Sequence, residues 1–302
     1  MTARRILDVS TPIDGFILHL GVNDADMRVA KRILPERVKL IDVSAFMQES
    51  GFRVPGGGIA ACIRLFADLF PFFDSYERIA YTDCDVLFNR DVGDLVGQKL
   101  NAPLLGAHDD YMYFRPSYRQ MMAMQPGAPY FNSGVLVFDM KAVREQGLLA
   151  LTRQAVAEKE QGDQGALNIA FEGKWQTMHP NWNLMSNGTL DYRFPQAFAR
   201  HFTAGKPWGS QVGVELDALK VWRELAEDTP WGKPFQQKVP FERGVMKRFF
   251  RKFDPLTGLL PTKDVQWRRA RYDGKKMHEI YGKQADALML AAPFPEKLGG
   301  FG

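Results

Sequence analysis

Hydrophobic and polar positions change their spacing repeatedly along this chain. Gly15-Phe16-Ile17-Leu18-His19-Leu20-Gly21-Val22 is a short, nearly continuous apolar run, which predicts a strand. Asn23 or Asp24 then offers an N-cap to a helix over residues 27–34, and Pro35 ends it. Residues 37–43 read as a second strand. A loop holding Gly56-Gly57-Gly58 leads into an apolar helix over residues 59–70, stopped by Pro71. Residues 78–88 form a β-rich run, 104–107 a short strand, and 130–138 a longer strand with a glycine at mid-run. Residues 141–159 are helical, and Asp163 is placed to N-cap a further helix ending at Phe171. Strands alternating with helices predict an α/β fold around a mixed, mostly parallel sheet. Beyond about Gly209 the pattern weakens, and Pro230, Pro234 and Pro240 punctuate it. The expected division is therefore a body over residues 1–240 and a C-terminal extension over 241–302.

Composition adds limits. Hydrophobic residues make up 45% of 302, enough for a sizeable core in one large α/β unit. Residues 1–12 carry Arg4 and Arg5 but no apolar segment of signal-peptide type, and no run of 18 apolar residues occurs. Cys62 and Cys84 are the two cysteines, a poor disulfide framework, so a reducing cytoplasm is expected. The net charge of +4 is uneven: residues 243–276 hold eleven Lys/Arg against three acids, leaving the rest of the chain net negative. That segment interleaves Arg243, Lys247, Arg248, Arg251 and Lys252 with Phe249, Phe250 and Phe253, followed by Trp267 and Tyr272. Such a mixture suits either peripheral contact with anionic lipid on the inner face of a membrane, or Phe residues packed on the body with the charges solvated. Nucleic-acid binding is suggested only by this basic segment and receives little support from the body, so no nucleic-acid partner is expected.

Candidate chemistry centres on Asp83-Cys84-Asp85. In an extended chain, side chains i and i+2 face the same way, so the two carboxylates can close on one cation. Oxygen donors without a thiolate or a His-rich cluster suit a hard divalent ion such as Mg2+ or Mn2+. The triglycine at 56–58 lacks the spacing of a phosphate-binding loop and is read as an entrance loop.

Further features follow in order: Arg64-Leu65, Asn132-Ser133-Gly134-Val135, Asp163-Gln164, Asn181-Trp182-Asn183, and His201-Phe202-Thr203-Ala204-Gly205-Lys206-Pro207-Trp208. Together with the D-x-D they resemble glycosyltransferase family 8, the retaining glycogenin-like and bacterial lipopolysaccharide galactosyl- and glucosyltransferases. The resemblance spans roughly residues 15–208. It implies a GT-A-type, Rossmann-like fold, a UDP-sugar donor, Mn2+ with Mg2+ as the substitute, and a glycan or lipid-linked acceptor. It further implies that Asp83, Asp85 and His201 bind the metal. Arg64, Asp83, Cys84, Asp85, Asn132, Ser133, Gly134, Asp163, Gly205 and Lys206 would form the donor site, and Asp163 and Gln164 would act at the anomeric carbon. The chain departs from the family pattern in three places. The family's first strand is missing or remodelled, with Arg5-Ile6-Leu7-Asp8-Val9 as a remnant; Gly165 follows Asp163-Gln164 where an acid is usual; and His201 and Lys206 are five positions apart instead of six. Two rival readings of the D-x-D are a haloacid-dehalogenase-like phosphatase, with Asp83 as nucleophile and Asp85 as acid/base, and a glycosyltransferase-like domain that only binds.

Overall fold

The computed structural model describes residues 1–6, 13–54, 58–109, 112, 124–125, 128–159, 162–185, 194–203, 205–209 and 214–232. The domain edge near residue 240, the basic aromatic segment 243–276, Gly56-Gly57 and Ala204 lie outside them.

The first unit is a strand–helix–strand. β1 (Gly15–His19) and β2 (Val38–Asp42) pair in parallel, with Ile17 opposite Leu40. Between them runs α2 (Asp24–Ile33), capped by Asn23, whose side chain accepts from the Asp26 amide at 3.0 Å. Leu34 is extended, as a residue before proline tends to be. Before this unit comes α1 (Thr2–Ile6), where a strand remnant was expected; Leu7–Val9 lie outside the described residues. The helix is held to the D-x-D turn and β4 by side chains. The Thr2 hydroxyl lies 2.7 Å from the carbonyls of both Cys84 and Val86, and Arg5 Nε donates to Phe88 O at 2.9 Å.

α3 (Ser44–Glu49) follows β2 and was not foreseen; Asp42 seeds its turn by accepting from the Ser44 amide. The apolar helix expected over 59–70 is shorter and tighter. α4 (Ile59–Cys62) passes into a 3-10 turn at Ile63–Phe66. Pro71 opens another 3-10 turn and holds Phe70 in the extended region, which ends any helical continuation.

The central sheet has the order β3–β6–β5–β7, from β3 (Arg78–Thr82), β5 (Leu104–His108), β6 (Phe131–Asp139) and β7 (Trp175–Thr177). β6 runs antiparallel to both neighbours, while β5 and β7 are parallel. A second sheet, β4–β9–β8, is built from β4 (Val86–Phe88), β8 (Leu184–Met185) and β9 (Ala199–His201). Parallel and antiparallel pairs thus occur together, as a mixed sheet requires. Among the described residues, α5 (Val92–Val96) is followed by α6 (Met140–Glu145), α7 (Leu148–Lys159), α8 (Asp163–Ala170) and α9 (Leu216–Ala226). The single helix expected over 141–159 is therefore two, divided at Gly147, whose φ of 60° lies in the left-handed region.

Side-chain alternation distributes β6 between two cores. Leu136 and Phe138 join Leu104, Leu65, Phe70, Leu148 and Phe171 on the helical side. Val135 and Val137 join Leu105, Val86, Phe88 and Trp182 between the two sheets. Leu87, between Val86 and Phe88, faces a third core with Phe202, Leu219 and Trp222 beneath α9.

Candidate functional site

The D-x-D lies where the chain changes sheets. At the end of β3 the Asp83 amide donates to Gly134 O at 2.8 Å, continuing the pairing with β6. Cys84 and Asp85 form a turn, and β4 then pairs with β9, setting Val86 opposite His201. The Phe202 amide donates to Asp85 O at 2.9 Å. The carboxylates therefore meet through a turn and not through strand periodicity, which corrects the extended-chain argument. One sheet carries Gly134 to Asp83, and the other carries His201 to Asp85.

Asp83, Asp85 and His201 each offer a ligand atom, all within 4.8 Å of one another. His201 Nε2 is 3.5 Å from Asp83 Oδ2 and 3.3 Å from Asp85 Oδ1. Two carboxylate oxygens and one imidazole nitrogen fit a divalent ion of the Mn2+ or Mg2+ kind. The Lys206 ammonium pairs with Asp85 Oδ2 and donates to Phe202 O at 2.6 Å. Burial pushes the Asp85 carboxyl up, but hydrogen bonding and charge from His201 and Lys206 outweigh it and leave its pKa below the ordinary value. Gly134 makes room for the ring. A Cβ there would lie 2.9 Å from His201 Nε2 and closer still to Nδ1 and Cε1.

Arg64 ties this cluster to the start of α8. Its buried guanidinium donates to Ser133 O at 2.7 Å and Ser133 Oγ at 3.1 Å, pairs with Asp163, and lies 3.3 Å from Asp83 Oδ1. It also stacks over the Tyr81 ring, 4.3 Å from the centroid. Tyr81 donates its hydroxyl to Asp83 Oδ1 at 2.5 Å, and burial drives its pKa up, so it remains a neutral donor. Asp163 is thus not the N-cap of α8, as had been expected. Gly162 holds that position, and the Asp163 carboxylate is committed to Arg64.

Gln164 is oriented from both ends. Its carbonyl accepts from Ser133 N at 3.0 Å, and its amide nitrogen donates to Asp109 Oδ2 at 3.0 Å. Asn132 Nδ2 donates to the same Asp109 oxygen at 3.3 Å. The β5–β6 register shifts at Gly106/Ala107, a bulge that leaves Ser133–Val135 between the pairs Ala107–Asn132 and Gly106–Leu136.

Of the residues singled out in the sequence, Arg64, Asp83, Asp85, Asn132, Ser133, Gly134, Asp163, Gln164, His201 and Lys206 come together. Gly205 lies buried in the turn between His201 and Lys206. Cys84 is exposed; its carbonyl receives the Thr2 hydroxyl. In the Asn181-Trp182-Asn183 run, Trp182 packs in the core between the sheets and Asn183 reaches His201 Nδ1 at 2.8 Å. Asp109 and Tyr81 were missed as members of the site. A signal existed for each: Asp109 follows a predicted strand just as Asp83 does, and Tyr81 stands two positions before Asp83 on the same face.

Comparison with known proteins agrees with this geometry. Residues 61–211, half the chain, match the family described as glycosyl transferase family 8. General stress protein A of Bacillus subtilis is 26% identical over 160 residues, 46% of this chain and 55% of the relative. Glycosyltransferase GlyF of Streptococcus pneumoniae is 24% identical over 267 residues, 83% of this chain and 62% of the relative. The chain thus spans a little over half the length of these curated relatives. Among solved structures, an active-site glutamine-to-glutamate mutant of LgtC superposes with a TM-score of 0.63 at 22% identity, covering 80% of this chain and 93% of that one. The galactosyltransferase LgtC in complex with donor and acceptor sugar analogues gives 0.61 over the same shares. These likenesses establish the GT-A fold. The family match removes the phosphatase reading of the D-x-D: the chain belongs to glycosyltransferase family 8.

Proposed function

We propose that the protein transfers a hexose from a UDP-sugar to a glycan or lipid-linked acceptor with retention of anomeric configuration. The observation that carries this reading is the convergence of Asp83, Asp85 and His201 beside Lys206 and the Arg64–Asp163 pair. Asp83, Asp85 and His201 would hold Mn2+ or Mg2+. When bound, the ion supplies Lewis-acid neutralisation of the donor diphosphate, worth several kcal/mol.

The chain's own residues divide the remaining work. Lys206 exchanges its contact with Asp85 for the leaving diphosphate, where a compact ammonium matches the developing charge. Arg64 pairs with Asp163 and orients its carboxylate, which would stabilise positive charge at the anomeric carbon. Gln164, held between Ser133 and Asp109, presents a fixed dipole beside the same carbon. The named active-site glutamine of LgtC supports giving Gln164 this place. Cys84, Asn132, Ser133, Gly134 and Gly205 would complete the donor site through backbone and small side chains.

The test is a panel of UDP-hexoses with Mn2+, followed by UDP release and by NMR of the product anomer. Release from one donor with a retained anomer is expected. UDP-sugar binding without turnover toward water or any glycan acceptor would instead identify a binding domain.

We place the protein in the cytoplasm, with residues 243–276 as a basic contact to anionic lipid; unpaired Cys62 and Cys84 accord with a reducing compartment. No helix among the described residues is long and apolar enough to cross a membrane. Binding to phosphatidylglycerol vesicles, lost at high salt and on truncation before Arg243, is the expected outcome. Protein remaining in the supernatant at low salt contradicts it.

A further inference from the structure

We infer that Asn183 is a positioning residue that sets the tautomer of His201 and so presents Nε2 as the metal-binding lone pair. The inference rests on the metal reading above. It follows from a chain of buried hydrogen bonds with a fixed starting point. The Gly134 amide is a donor and nothing else, and it lies 2.9 Å from Asn132 Oδ1, so this atom of Asn132 is the acceptor. The Asn132 amide nitrogen consequently faces Asp109 Oδ2, an acceptor, which agrees. Asn132 Oδ1 is also 2.9 Å from Asn183 Nδ2, so Asn183 must donate there and turn its own carbonyl the other way. That carbonyl meets His201 Nδ1 at 2.8 Å, and an acceptor in that place requires Nδ1–H.

Rotating the Asn183 amide would set two carbonyl oxygens against each other in the protein interior. Asn183 is 2% exposed, Asn132 6% and His201 4%, so water does not relieve the conflict. The Nδ1 proton is therefore anchored, through two amides, to a backbone N–H on the central sheet. Nε2 is left facing Asp83 and Asp85. A metal-ligating histidine needs this arrangement, because an imidazole with its proton on the other nitrogen would offer a donor to the cation.

The experiment measures Mn2+ affinity by the EPR signal of free ion, in full-length protein at one pH. Wild type, Asn183→Leu, Asn183→Asp, His201→Ala and the His201→Ala/Asn183→Leu double variant are compared. We expect Asn183→Leu to weaken Mn2+ binding about 10- to 100-fold. In the His201→Ala background the same change should alter affinity less than about twofold, since its only route is through the ring. Asn183→Asp keeps an acceptor toward Nδ1 and should bind more tightly than Asn183→Leu; where leucine does not fold, Asn183→Ala takes its place. Equal losses in both backgrounds would show a general structural role and overturn the inference. No loss in Asn183→Leu, with wild type binding Mn2+, would overturn it while leaving the metal reading intact. No Mn2+ binding by wild type would overturn both.

Discussion

At the scale of single residues, the site depends on what position 134 lacks. The His201 ring fills the space of an absent Cβ, so Gly134→Ala must push the ring away from Asp83 and Asp85 or shift β6. Overpacking of this kind typically costs about 1–3 kcal/mol, and loss of the imidazole should weaken Mn2+ binding at least about tenfold. Denaturant unfolding and an EPR titration check both; unchanged Mn2+ affinity contradicts the assignment. A second residue makes a pH prediction. His108 faces Thr177 Oγ1 at 3.0 Å and stacks edge-on against Trp175, and burial pushes its pKa down to about 4. The unfolded chain takes up a proton near the ordinary value of about 6.5, whereas the folded one refuses it until about 4. Stability must therefore fall as the pH drops through that window, by roughly 3 kcal/mol at its lower end. His108→Gln should lose correspondingly less between pH 7 and pH 4 in urea unfolding, and parallel curves would refute the account. The acidic and basic members of the site were legible because their types and order announce ion chemistry. Asp109 and Tyr81 carried only the weak signals of a strand end and a shared face, because their contacts with Gln164, Asn132 and Arg64 arise from packing between distant segments.

Among the elements, β1, α2, β2 and β6 could be read from period and caps, since Asn23, Pro35 and the apolar run at 130–138 are local signals. Other boundaries depend on backbone state. Residues 141–159 keep helical composition throughout, yet Gly147 turns left-handed and separates α6 from α7. No atom lies within 4 Å of a Cβ built there, so Gly147→Ala carries only the conformational cost, about 1 kcal/mol. Calorimetry should register that loss with Mn2+ affinity unchanged; a fully stable alanine variant would mean the two helices join. The turn at Asp83–Asp85 is a similar case. Sequence showed two carboxylates one residue apart, but their convergence comes from β3 and β4 belonging to different sheets.

Across the whole molecule, that division is what builds the site, and it was the least legible feature. β4 pairs with β9 and β3 with β6, contacts between segments far apart in the chain that only the packed cores enforce. The proposed metal ligands therefore meet where the two sheets join, and Arg64 links them to α8. The most direct test of this assembly is the rate of UDP release from the preferred UDP-hexose, with and without Mn2+, in wild type and in the Asp83→Asn/Asp85→Asn variant at matched folding by circular dichroism. The account predicts Mn2+-dependent release by wild type, removed by chelation, and a fall of at least about 100-fold in the folded double variant, as expected when several kcal/mol of charge neutralisation is lost. Mn2+-dependent release persisting near the wild-type rate in that variant would contradict it.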